Sequence, residues 1–141
     1  MMIVRPARTT DLPALEHMAA ASAAGVTGLT PHREYLFERI QQSIAALDSD
    51  VAWQSEESYT FMLEVDGQVV GTAGLIASAG FTQPFYSYRN ETLIHASAAL
   101  GVNNKIHALT LCNDLTGVTQ LCGFYLDPAF LDSAAADMLS R

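Results

Sequence analysis

Apolar and polar residues alternate with two different periods along this chain, and each change of period marks an element. Met2-Ile3-Val4-Arg5-Pro6 is a short first strand, closed by Pro6. Thr9-Thr10-Asp11 then supplies N-cap chemistry, and Pro13 suits the first turn of a helix. Leu12, Leu15, Met18 and Ala19 carry that helix to about Ala24, where Gly25 and Gly28 end it. A second helix starts at Thr30-Pro31-His32. Tyr35, Leu36, Ile40, Ser43, Ile44 and Leu47 recur at helical spacing, with Glu34, Glu38, Arg39 and Gln42 on the other face. Asp48-Ser49-Asp50 breaks it, and a polar connector with the only tryptophan, Trp53, follows.

The period then shortens to that of a strand. Residues 59–65 and 68–76 flank Asp66-Gly67, a dipeptide suited to a tight turn because glycine accepts positive φ. An aromatic insert follows, with Phe81, Phe85, Tyr86 and Tyr88 around Gln83-Pro84, and then a polar helix-or-strand segment over 91–100. Residues 105–112 read as a strand and Asn113-Asp114-Leu115-Thr116-Gly117 as a turn, so 121–126 is expected as the second arm of a long hairpin. An Asp-Pro corner leads to a helix from Ser133, capped by Asp132 or Ser133. The order β-α-α-β-β-(insert)-β-β-α, with strands in a mostly antiparallel run and helices flanking them, predicts an α+β fold.

Composition narrows the function. Of 141 residues half are hydrophobic and 16% charged, which suits one packed domain or part of one. The formal charge is −8, and Lys105 is the sole lysine, so a nucleic-acid partner is not expected. Cys112 and Cys122 lie ten apart, without the spacing of zinc or redox motifs, and read as core residues of a reducing compartment. No apolar run approaches the roughly twenty residues of a membrane span, and a cytoplasmic location without metal or membrane is expected.

The order, with RPARTTDLPAL at the front and LCGFYLDP before a helix, resembles the N-terminal half of a GNAT-type acyltransferase. EESYTFMLE, ASAGFTQPFYSYRNETLIHASAALGVNNKIHALTLCNDLTG and LCGFYLDP resemble the arginine N-succinyltransferase family, above all its arginine/ornithine alpha-subunit type. Members of that family are more than twice this length. The resemblance therefore implies that residues 1–141 are a single, incomplete GNAT-like domain, the N-terminal part of a longer enzyme. It implies transfer of succinyl from succinyl-CoA to the α-amino group of arginine, in arginine catabolism. Ornithine is a further implied substrate, and a beta-type subunit or a homo-oligomer the implied partner. The family's proton donor lies beyond residue 141.

The resemblance also implies site residues. Strand 121–126 would offer its main chain to the pantetheine arm, with the Phe124 N–H facing the thioester carbonyl and Tyr125 and Leu126 following it. The phosphate-loop pattern falls on residues 131–136, where Leu131 replaces a basic or amide residue and Ala134 the first glycine. Ala134 and Ala136 are the expected phosphate contacts there. Arg89, Asn90 and Glu91 are expected on the substrate side or at a subunit contact. Among other candidates, Glu56, Glu57 and Asp114 have the chemistry to hold a guanidinium. His17 and His32 read as surface residues, and His95 and His107 as structural strand histidines. A second reading is a non-catalytic assembly module, or a truncated piece, that pairs through strand 121–126 as an exposed edge.

Overall fold

The computed structural model describes residues 1–22, 26 and 28–140. In chain order it contains β1 (Met2–Pro6), α1 (Leu12–Ala21), α2 (Arg33–Asp48), β2 (Ser58–Val65), β3 (Gln68–Ile76), β4 (Ser87–Ser97), β5 (Val102–Cys112), β6 (Gln120–Leu126) and α3 (Ala134–Ser140). These elements divide between two compact units, Met1–Ser78 with Thr119–Arg141, and Ala79–Val118.

The first unit is built on a four-stranded antiparallel sheet in the order β1-β2-β3-β6. The period of two in β2 sends Met62 to one face and Leu63 to the other, and both are fully buried. On Met62's side the sheet packs against α1 and α2 through Leu15, Met18, Leu36 and Ile40. On Leu63's side Val70 and Leu126 meet Ala135 and Leu139 of α3. Asp66 and Gly67 join β2 to β3 at φ 50° and 86°, the two left-handed positions of a tight hairpin turn.

Asp11 ties β1 to the entry of α1. Its carboxylate accepts from the Arg8 N–H at 2.8 Å and from Arg5 Nη1 and Nη2 at 2.7 and 2.9 Å, while Arg5 Nε donates to Glu64 at 2.8 Å. Burial pushes the Asp11 carboxyl up, but Arg5 and the Arg8 N–H outweigh it and hold the group below its ordinary value. Asp11 closes a 3-10 turn, Thr9–Asp11, and Pro13 sits in the first turn of α1. That helix ends at Ala21, with Ser22 extended, short of the expected Ala24, which with Gly25 lies outside the described residues.

In α2 the buried positions are Leu36, Arg39, Ile40 and Ser43, spaced i, i+3, i+4, i+7. This corrects the expected polar face. Arg39 belongs to the inward stripe by position although not by residue type, while Tyr35 and Leu47 are exposed.

The second unit is a two-stranded antiparallel ladder, β4 on β5, in register from Ser87↔Cys112 to Ser97↔Val102. The polar segment from Glu91 is thus strand as far as Ser97. The long hairpin expected between 105–112 and 121–126 does not form, because β5 pairs with β4 and β6 with β3. Two causes are visible. The turn after β4 is closed locally, with Gly101 at φ 61° and the Leu100 N–H bonded to Ser97 Oγ at 3.3 Å. Conversely, β6 carries Cys122 and Leu126, both buried, and its Tyr125 and Leu126 join the cores on the two faces of the first unit's sheet.

Candidate functional site

Strand β6 is at the end of its sheet, paired with β3 alone among the described strands. Its register breaks in the middle. Leu126 and Tyr125 face Gly71 and Thr72, but Cys122 already faces Gly74. Gly123 and Phe124 therefore both stand against Ala73, which is a β-bulge on an edge strand. Gly123 adopts φ 58°, a value its lack of a Cβ permits. A bulge interrupts the ladder and turns backbone groups away from it, so this edge offers main-chain groups at Gly123–Phe124.

Of the three residues expected on this strand, Phe124 is 45% exposed. Tyr125 packs on the core beneath α1 and α2, and Leu126 belongs to the core beneath α3. What the strand offers a ligand is thus backbone together with the Phe124 ring. Leu121 is 72% exposed on the same strand and borders an open apolar hollow of about 410 Å3, which Phe61, Leu75 and Met138 also line.

Behind the bulge sits a group that sequence reasoning missed. Arg39 reaches in from α2, is 8% exposed, and donates from Nη1 to the Gly28 carbonyl and from Nη2 to Cys122 Sγ at 3.5 Å. The signal for it was positional, three residues after Leu36 and one before Ile40.

Ala134 and Ala136 lie on α3, as expected for the run after β6. Ser133 caps that helix. Its Oγ accepts from the Ala135 N–H at 3.2 Å and its carbonyl from the Ala136 N–H at 3.1 Å.

Arg89, Asn90 and Glu91 come together on β4 in the second unit. Arg89 donates through Nε and Nη2 to Asp114 at 2.9 and 2.5 Å, and Glu91 accepts from Thr110 Oγ1 at 2.9 Å. Asp114, a candidate for holding a substrate guanidinium, thus holds one from its own chain. The pairing lowers the Asp114 carboxyl and raises Arg89. Asn90 is exposed opposite Leu109. His95 and His107 are exposed strand residues, and His17 and His32 are exposed as expected. Glu57 is engaged locally, accepting from the N–H and Oγ of Ser55, each at 2.7 Å. No helix among the described residues is long and apolar enough to cross a membrane.

The model of the family described as arginine N-succinyltransferase beta subunit matches residues 2–141. An arginine N-succinyltransferase subunit alpha from Pseudomonas aeruginosa is 46% identical over 143 aligned positions, covering 100% of this chain and 42% of that one. An arginine N-succinyltransferase from Escherichia fergusonii is 36% identical and is covered to 41%. The solved structure of arginine/ornithine succinyltransferase subunit AI from Pseudomonas aeruginosa matches the whole chain with a TM-score of 0.87 at 45% identity, over 43% of its own length. The family model carries one subunit's name and the first relative the other, so these names fix a family and not a subunit. The chain spans about two fifths of the length of the curated relatives it matches. By this whole-chain match in sequence and fold, the chain belongs to the arginine N-succinyltransferase family.

Proposed function

We propose that this chain is the N-terminal part of an arginine N-succinyltransferase, and that β6 is the strand on which succinyl-CoA is held. The bulged edge at Gly123–Phe124 carries the proposal. An extended pantetheine arm has amide groups that can pair with an open strand edge as an added strand does. The residues present fit that use, because the ladder is broken where a main-chain donor is needed and the exposed Phe124 ring flanks it.

Succinyl-CoA supplies a thioester-activated acyl group. Its transfer to the α-amino group of arginine forms a C–N bond and breaks a C–S bond, and a proton passes from the amine to the departing thiolate. The role of this chain's own residues is to bind and to polarise. The Phe124 N–H donates to the carbonyl oxygen, whose negative charge grows as the bond forms, and a fixed donor there stabilises the transition state more than the ground state. Tyr125 and Leu126 hold the strand in place through the two cores. Ala134, which replaces a glycine at the head of α3, marks the pyrophosphate end, while the N–H groups of Ala135 and Ala136 are already engaged by Ser133, so Ala136 borders that end without a free donor. Arg89, Asn90 and Glu91 are the substrate-side or subunit-side cluster, with a cytoplasmic setting and a beta-type subunit or second copy as partner.

The alternative favoured by the open edge is an assembly module. Titration of succinyl-CoA into 15N-labelled chain distinguishes the two. The expected result is saturable movement of the amides of residues 123–126. Saturable binding that leaves them still removes β6 as the site. No binding, together with amides 121–126 protected in a species larger than 15.2 kDa, selects the assembly reading.

A further inference from the structure

The geometry points to Arg39 as a positioning residue that sets the shape of the β6 bulge, so that the Phe124 N–H is presented outward. This rests on the reading of β6 as the acyl-CoA strand.

The guanidinium is seated by missing side chains. A Cβ at Gly74, directly across from Cys122 in the ladder, would lie 2.5 Å from Arg39 Nη2, and one at Gly28 would overlap Nη1. The far side is Gly123, where an added Cβ would meet the Gly28 carbonyl at 3.3 Å and Nη1 at 3.7 Å. Two glycines, Gly28 and Gly74, thus make the slot, and Gly123, the left-handed residue of the bulge, borders the guanidinium at ordinary contact distance. The planar fork spans two acceptors at once, the Gly28 carbonyl and Cys122 Sγ. A lysine, with a single ammonium, does not reproduce that fork. Cys122 is the residue before Gly123, so fixing its side chain fixes where the chain leaves the ladder.

A buried charge is costly unless compensated. Burial works against the charge on Arg39, but a guanidinium keeps its proton in proteins, and here its donors are taken up by the Gly28 carbonyl and Cys122 Sγ. The space left among Arg39, Thr60, Thr72 and Gly123 is about 10 Å3. That admits at most a single water. It does not admit the carboxylate of a succinyl group, so Arg39 acts on the strand and does not touch the ligand.

The test compares Arg39→Met, Cys122→Ala and Cys122→Ser with the unaltered chain. It reads the affinities for succinyl-CoA and acetyl-CoA by calorimetry, and the Gly123 and Phe124 amide signals without ligand. Arg39→Met is expected to weaken both ligands by about tenfold, the size of one misplaced contact, with their ratio unchanged. The two amide signals should move before any ligand is added. Cys122→Ala should show the same pattern more weakly, and Cys122→Ser, which keeps an acceptor, should recover part of it. If Arg39→Met does not fold, the Ala/Ser pair decides the matter alone. Unmoved Gly123 and Phe124 amides in a folded variant overturn the proposal. Selective loss of succinyl-CoA also overturns it, since that marks a carboxylate contact. Failure of the unaltered chain to bind either thioester removes the acyl-CoA reading, while the ligand-free amide signals still decide whether Arg39 shapes the bulge.

Discussion

Antiparallel ladders build both units, yet the two ladders are held differently. In the sheet of the first unit, Met62 and Leu63 are adjacent residues buried on opposite faces, each against its own helical layer. In the β4–β5 ladder, Ile94, Leu109 and Leu111 are 63%, 70% and 55% exposed, and the bonds that Arg89 makes to Asp114 and Thr110 to Glu91 lie at the surface. A two-stranded ladder without a covering layer is marginal in water. Extended structure alone therefore does not make a platform for chemistry. The bulge in β6 is tolerable because Tyr125 and Leu126 anchor the strand in two cores directly after it, and Arg39 fills the space behind it. Nothing comparable backs β4 and β5 within their own unit.

The contrast breaks first in the cores. Ile40 is 0% exposed, and Ile40→Ala should lower the unfolding free energy by about 4 kcal/mol, the cost of lost burial plus the cavity left behind. Leu109→Ala in the ladder should change it by less than about 0.5 kcal/mol. Urea titration of both variants measures the gap. Equal losses at the two sites would mean that Leu109 is covered in solution and would erase the distinction.

The same difference explains what could be read from the sequence. The β2–β3 hairpin was legible because its signal is local, an Asp-Gly pair between two alternating runs, and the strands stand at Ser58–Val65 and Gln68–Ile76 as that reading requires. Strand β6 was legible as a strand, but its partner was not. Pairing to β3 is settled by burial on two faces, which no window of sequence records. Arg39 was misread for a related reason, since periodicity scores residue type and a charged residue inside an apolar stripe reads as a break in it. The two glycines that accommodate it lie at 28 and 74, too far apart to suggest one slot. The proposed site was named through family likeness rather than spacing. Phe124 was named there, while the bulge beside it appears only in the register of β6 on β3.

Acid sharpens the comparison at intermediate size. Asp11 is held below its ordinary value of 3.8 when folded. The folded chain therefore binds fewer protons here than the unfolded chain. The stabilisation is complete above that ordinary value and is lost as pH falls through the folded one. Asp11→Asn should cost about 2 kcal/mol near neutrality, because it strands part of the Arg5 guanidinium beside Glu64. It should also flatten the loss of stability on acidification. Urea midpoints followed from about pH 6 down to about pH 2.5 test this. A variant that loses stability along the same acid slope as the unaltered chain would show that Asp11 is not the group being titrated.

The smallest effect is expected at the corresponding pair of the other unit. Arg89 and Asp114 meet at distances as short as those of Arg5 and Asp11, but their side chains are 54% and 51% exposed against 12% and 7%. Water and salt screen the exposed pair, and ordering two surface side chains offsets most of what their attraction gains. Asp114→Asn should therefore leave the unfolding midpoint where it was, and register only as a shift of the Arg89 Nε–H signal. About 0.5 M salt should produce much of that shift in the unaltered chain. A fall in the midpoint as large as that of Asp11→Asn would mean that Arg89 and Asp114 are enclosed in solution. The ladder of β4 and β5 would then be backed by a surface other than its own, and the contrast with the four-stranded sheet would dissolve.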